Sequence, residues 1–153
     1  MTSTDVQQSL DLPPADQLGF VVNNLEQSIA KYDPLFGPFK TMDSTVETAE
    51  YRGRHADVEL KLAFGSSGPL EIELIEWVGG DSPHAEFIRA GKEGMHHIRF
   101  RVEDCDFEIR RIAALGFSCI WYKSMGGGIK FAYLERADDP LLIEFLQMPA
   151  GHY

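Results

Sequence analysis

Gly94-Met95-His96-His97-Ile98-Arg99-Phe100-Arg101-Val102, followed by Glu103-Asp104-Cys105, is the stretch that decides how this chain folds. Ile98, Phe100 and Val102 alternate with His97, Arg99 and Arg101, the period of a half-buried strand. Asp104 then stands where a helix needs an N-cap. Behind it come an apolar face of Phe107, Ile109, Ile112 and Leu115 and a stop at Gly116. The same pattern occurs once before. Gln17-Leu18-Gly19-Phe20-Val21-Val22-Asn23-Asn24-Leu25 alternates in the same way, and Asn24 can cap a helix carrying Leu25, Ile29 and Tyr32 that Pro34 and Gly37 bring to an end.

The two stretches are offset by 80 residues, and the helix stops Gly37 and Gly116 by 79. Three strand-like runs follow each helix. They are expected at 45–52, 58–64 and 70–77 in the first half, and at 117–122, 129–134 and 141–146 in the second, with Gly126-Gly127-Gly128 as a hairpin turn. Glu73 and Glu144 occupy matching places in the last strand of each set, 71 residues apart. Duplicated sequence implies duplicated structure, so matching positions are expected about a pseudo-two-fold axis. The fold class is α+β, two tandem βαβββ modules forming a cupped, partly open mixed β-sheet. The expected organisation is a disordered segment over 1–14, then one domain over 15–149. Within it lie module 1 at 15–78, a linker with a short helix capped by Ser82 at 79–93, and module 2 at 94–149.

Strand parity adds a functional reading. Leu18, Phe20 and Val22 must pack on the helix, which sends Gln17 to the opposite face, and His97 follows the same rule against Ile98, Phe100 and Val102. Ile72 and Leu74 oppose Glu73, and Ile143 and Phe145 oppose Glu144. Four side chains able to bind a metal are therefore expected to point away from the helix-packed layers into the space the sheet encloses. By the same alignment His96 falls opposite Asp16 and is expected to face outward in a structural role. Arg99 and Arg101 share the parity of His97. They can meet a substrate carboxylate or phosphate, or form a salt bridge to Glu71 or Glu73.

The chain has 153 residues, 44% of them hydrophobic and 25% charged, an ordinary globular composition. Its formal charge of -10 disfavours nucleic acid and anionic membrane as partners. Two cysteines, Cys105 and Cys119, lie in no metal-binding or disulfide pattern, the first residues carry no apolar leader, and no stretch is long enough to span a bilayer. A cytoplasmic location is expected. No Ser-His-Asp order or nucleotide-binding glycine motif occurs.

At Asp16-Gln17-Leu18-Gly19, Ile72-Glu73-Leu74-Ile75, Gly94 to Val102 and Leu142-Ile143-Glu144, the chain resembles the vicinal oxygen chelate superfamily. That superfamily includes glyoxalase I, methylmalonyl-CoA epimerase, extradiol dioxygenases and bleomycin-resistance proteins. The linker Gly80-Asp81-Ser82-Pro83 resembles that of the epimerases. The resemblance implies a cup of paired modules around one divalent metal ion, Zn, Ni, Co, Mn or Mg, held by Gln17, Glu73, His97 and Glu144. Epimerases usually carry His at the place of Gln17 and Gln at that of Glu73, and the set found here is closer to that of glyoxalase I. The activity implied is that of an isomerase, epimerase or lyase, which shifts a proton next to a carbonyl through a metal-stabilised enolate, with Glu73 and Glu144 as the acid-base pair. Its substrate would be a small carbonyl compound or thioester. Modules in this superfamily pair within a chain or across a homodimer, and a homodimer is expected. The alternative is a non-catalytic, drug-sequestering binding protein. An extradiol dioxygenase fits less well, because Gln17 removes one histidine of the two-His, one-carboxylate triad.

Overall fold

The structure, a computed structural model, describes residues 10–149. The lead-in expected over 1–14 falls mostly outside that range. Within it, Leu12 packs against the second helix layer and the Leu10 carbonyl accepts a hydrogen bond from Arg111.

Two βαβββ units follow one another. The first comprises β1 (Gln17–Val21), α1 (Leu25–Phe36), β2 (Lys40–Tyr51), β3 (Arg54–Ser67) and β4 (Leu70–Gly80). After α2 (Pro83–Arg89) come β5 (Gly94–Val102), α3 (Cys105–Ile112) with a further 3-10 turn (Ala113–Leu115), β6 (Phe117–Gly126), β7 (Ile129–Arg136) and β8 (Asp139–Gln147). The capping residues act as expected: Asn24 accepts from the Gln27 N–H, Asp104 from the Phe107 N–H, and Ser82 from His84 and Ala85. Helix α1 runs two residues past Pro34, and its end is set by Gly37, whose N–H bonds the Asp33 carbonyl.

The strands form one ring in the order β1-β4-β3-β2-β6-β7-β8-β5. Each first strand pairs in parallel with the last strand of its own unit, β1 with β4 and β5 with β8. The antiparallel β1–β5 pair joins the two units. On the far side, the cup is drawn shut where β2 meets β6 in two residue pairs, Glu50 with Tyr122 and Tyr51 with Trp121.

Alternation along the strands sorts side chains into layers. Val22, Leu74, Ala63 and Phe20 pack beneath Leu25, Ile29 and Tyr32 of α1, and Leu134, Phe145, Phe100 and Ile143 beneath Cys105, Ile109 and Ile112 of α3. The inward set, including Val21, Leu60, Leu62, Ile75, Trp121, Phe131, Tyr133 and Leu142, fills the ring itself, and Phe87 and Ile88 of α2 pack against it. Among the described residues no helix is long and apolar enough to cross a membrane.

Candidate metal centre

Register builds the centre. One row of paired residues runs across five strands: Glu71 on β4, Gln17 on β1, Arg99 on β5, Glu144 on β8 and Tyr133 on β7. The neighbouring row carries Glu73, Gly19, His97 and Leu142. Because Gly19 has no side chain, the His97 ring lies over it. A Cβ built on Gly19 would come within 2.1 Å of His97 Cε1. From there His97 Nε2 reaches both rows, lying 3.2 Å from Gln17 Oε1, 3.4 Å from Glu73 Oε1 and 3.3 Å from Glu144 Oε1. All four residues are buried, at 0–9% exposure, so bulk water does little to screen them. One chain brings the four together.

The orientation of Gln17 is settled by its neighbour. Its amide nitrogen donates to Glu71 Oε1 at 2.7 Å, and a carboxylate only accepts, so the amide oxygen is the atom turned inward. Around His97 Nε2 there are therefore three acceptor oxygens. Adjacent ligands of a divalent ion with bonds of ~2.1 Å lie ~3.0 Å apart in an octahedron and ~3.4 Å apart in a tetrahedron. The separations here, 3.2 to 3.4 Å, match such an edge. Three oxygens and one imidazole nitrogen, two of the oxygens from carboxylates, suit a hard or borderline divalent cation.

Electrostatics agree with that chemistry. Burial, opposed by the charge of Arg99, pushes the Glu73 carboxyl up to about 7. Burial and then the charge of Glu73 raise Glu144 well above the usual carboxylate range. Burial followed by Arg99 lowers His97 to about 3, so its imidazole is neutral, the form that ligates metals. Two carboxylates this deep repel each other, and a bound cation reverses that cost.

His96 does not face outward as alternation along β5 implies. The β1–β5 register slips there: Gly19 pairs with His97 and Phe20 with Met95, which leaves His96 as the extra residue of a β-bulge. Its ring turns in and is 2% exposed, with Nδ1 3.0 Å from Nδ1 of His97. His84, from the first turn of α2, completes a buried three-histidine group with His96 and His97. The nitrogens of His84 are already engaged, Nδ1 with Ser82 Oγ at 3.0 Å and Nε2 with the Tyr133 hydroxyl at 3.1 Å. The open donors are those facing His97 Nε2.

Arg99 and Arg101 lie beside the centre and are held by acids. Arg99 Nε is 2.9 Å from Asp16 Oδ1 and its Nη2 is 3.5 Å from Glu71 Oε1, while Arg101 Nε is 3.7 Å from Asp16 Oδ2. Burial alone would lower the Arg99 guanidinium, but Asp16, Glu144 and Glu71 outweigh it and keep it raised. Sequence reasoning named Glu71 as a salt-bridge partner of the arginines, which it is for Arg99, but missed its bond to Gln17, the part played by Gly19 and the inward turn of His96. A glycine in the middle of an alternating strand was the one available signal of close approach.

Residues 16–133 match the model of the Glyoxalase/Bleomycin resistance protein/Dioxygenase superfamily, and the chain belongs to that superfamily. A stretch of 85 residues is 28% identical to the uncharacterized protein YqjC of Bacillus subtilis, covering 56% of this chain. The chain matches about half of that relative's length, 54%. A hypothetical protein of Bacillus halodurans is similar in structure, with TM-score 0.63, 25% identity and coverage of 92% of this chain and 97% of the other. So is a variant of methylmalonyl-CoA epimerase from Streptomyces coelicolor in complex with 2-nitronate-propionyl-CoA, with TM-score 0.61, 23% identity and coverage of 92% and 96%. At that identity the likeness is one of fold.

Proposed function

We propose that the protein is a metal-dependent isomerase, epimerase or lyase that moves a proton next to a carbonyl group, with Gln17, Glu73, His97 and Glu144 as ligands of one divalent ion. The observation that carries this reading is the convergence of three acceptor oxygens on His97 Nε2 at 3.2 to 3.4 Å, in a buried site where a bound cation relieves the repulsion of two ionised carboxylates. When bound, the ion supplies Lewis acidity that makes the C–H beside a substrate carbonyl more acidic.

The chain's own residues supply the rest. Glu73 and Glu144 come from opposite halves of the pseudo-two-fold and approach His97 from two sides. One can take the proton from one face and the other return it on the opposite face. Arg99 and Arg101 are proposed to meet the anionic or carbonyl end of the substrate by exchanging part of their contact with Asp16. A small carbonyl compound or an acyl thioester is the proposed substrate. The thioester is favoured by the fold shared with an epimerase that binds a CoA ligand.

Proton transfer leaves a direct trace. Incubated in D2O with zinc, cobalt, nickel or manganese and a panel of acyl-CoA thioesters and hemithioacetals, the protein should place deuterium next to the carbonyl of its substrate. Glu144→Gln should reduce that exchange at least ~100-fold, the usual scale for loss of a general acid or base. Absence of exchange with every metal and substrate, or full exchange by Glu144→Gln, contradicts the proposal.

A further inference from the structure

We infer that the join between β2 and β6 is the door to the metal centre and that Arg52 is its latch: the ring parts there to admit the ion and the substrate. With the ring shut, Gln17, Glu73, His97 and Glu144 are 0–9% exposed, so a substrate cannot reach them unless a wall moves. The walls are not equally firm. Among the described residues, every other pair of neighbouring strands in the ring shares at least five register pairs, whereas β2 and β6 share two. Over residues 40–49 β2 pairs with β3 alone, and the Lys123 ammonium reaches across from β6 to the Glu47 carbonyl.

Trp121 is the partition at this join. Paired with Tyr51, it lies 4.9 Å from the Tyr133 ring, which in turn lies 4.8 Å from that of His97. Trp121 also lines a cavity of about 600 Å³ between the β2–β3 turn, β6 and Ile109 of α3, a volume that suits a small-molecule ligand. Parting the join therefore opens the centre toward a cavity already present on the outer side.

Charge holds the door shut. Arg52 donates from Nε and Nη2 to Glu86 of α2 at 2.5 and 3.1 Å, and from Nη1 and Nη2 to Glu135 of β7 at 2.8 Å each. The Tyr51 hydroxyl donates to Glu86 as well. Two-pronged guanidinium–carboxylate bonds are the strong kind of ion pair. At 36–39% side-chain exposure they stay open to water and salt, so the latch is reversible. Backbone strain works against it. Arg52 takes φ +48° at the first central position of the two-residue turn Arg52-Gly53, where Asn, Asp or Gly is usual. Thr48, a β-branched residue, takes φ +56°. Two of the three left-handed non-glycine residues among the described ones thus flank Glu50 and Tyr51, the residues that pair with β6. Such conformations persist where surrounding contacts impose them, and the bonds of Arg52 are contacts of that kind.

That the door guards a metal centre rests on the function proposed above, whereas its opening is a property of the metal-free chain. The Trp121 indole N–H reports that opening, because it is buried without a hydrogen-bond partner and burial alone shields it from solvent. The Val22 amide, bonded to the Ile75 carbonyl at 2.8 Å, reports unfolding of the sheet itself. In hydrogen-exchange NMR of the full chain, Arg52→Ala should speed exchange of the indole N–H at least ~10-fold, the scale of a lost charge-assisted hydrogen bond, and leave Val22 unchanged. Glu50→Cys with Tyr122→Cys, directly opposite each other, should close into a disulfide on oxidation in a chain that also carries Cys119→Ser. The oxidised form should take up zinc, and exchange its indole N–H, at least ~10-fold more slowly than its own reduced form, within the range a cross-link stabilises the closed state. Equal speeding of the indole N–H and Val22 in Arg52→Ala, or no speeding of either, overturns the inference, as does a locked form that takes up zinc as fast as the reduced one. Should Arg52→Ala fail to fold, the locked pair decides. Should the wild-type chain bind no zinc, the metal reading falls while indole exchange in the locked and reduced forms still tests the door.

Discussion

Gly19 has no chemistry of its own, yet the centre depends on it. Its missing side chain is the space the His97 ring occupies, and Gly19→Ala would set a Cβ 2.1 Å from Cε1 of that ring. Since the strand backbone is pinned on both sides by β4 and β5, the ring must give way. Gly19→Ala is expected to weaken zinc binding more than ~10-fold and to cost about 1–3 kcal/mol of stability from overpacking. Chelator competition and thermal denaturation would measure the two, and unchanged values in both would refute the close-approach argument. Glu71 acts at one remove, by turning the Gln17 oxygen inward. Glu71→Ala frees the amide to rotate and should lower zinc affinity, whereas Glu71→Gln, which still offers an oxygen, should be milder. The four ligand candidates were legible in the sequence because repeat symmetry and alternation both pointed to them. The bond of Glu71 to Gln17 and the part of Gly19 were not, because they depend on which residues register places side by side.

Elements were legible wherever a local signal fixed an end. Asn24, Ser82 and Asp104 cap α1, α2 and α3 as read, and Gly37 and Gly116 end the helical segments of α1 and α3. Asp104→Ala should cost about 1 kcal/mol, typical for a lost N-cap, with little effect on zinc affinity, since α3 lies on the outer side of the sheet. Urea denaturation beside a zinc titration separates the two effects, and a large loss of zinc affinity would mean that α3 is coupled to the centre. Strand lengths were read short. β2 begins at Lys40 and β3 runs to Ser67, because the ladder continues through polar, exposed residues such as Thr41, Asp43, Ser66 and Ser67, which carry no hydrophobic period. The bulge at His96 was hidden for a related reason. Alternation states which face a regular strand presents, and one inserted residue leaves no mark in composition.

Among the described residues the strands form a ring around an apolar interior with a buried polar centre, and stability should record the charge state of that centre. His84, His96 and His97 titrate well below 6.5 in the fold, so the unfolded chain binds protons that the folded chain does not, and stability falls as pH drops below 6.5. Glu73 and Glu144 have the opposite sign. Their raised pKa values mean that the metal-free fold keeps protons released on unfolding, so stability falls as pH climbs from 4.5 through about 7. Thermal melts of the chelated chain should therefore pass through a maximum near pH ~6, and zinc should remove the alkaline decline by holding both carboxylates ionised. A decline that zinc leaves untouched would show that the carboxyl pair does not cause it.

Anomalous diffraction from crystals of the protein loaded with zinc tests the central claim most directly. One strong peak is expected within bonding distance of Gln17 Oε1, Glu73, His97 Nε2 and Glu144, and absent from crystals of Glu144→Ala grown with zinc. A peak among His84, His96 and His97, or none near His97 Nε2, would contradict the account.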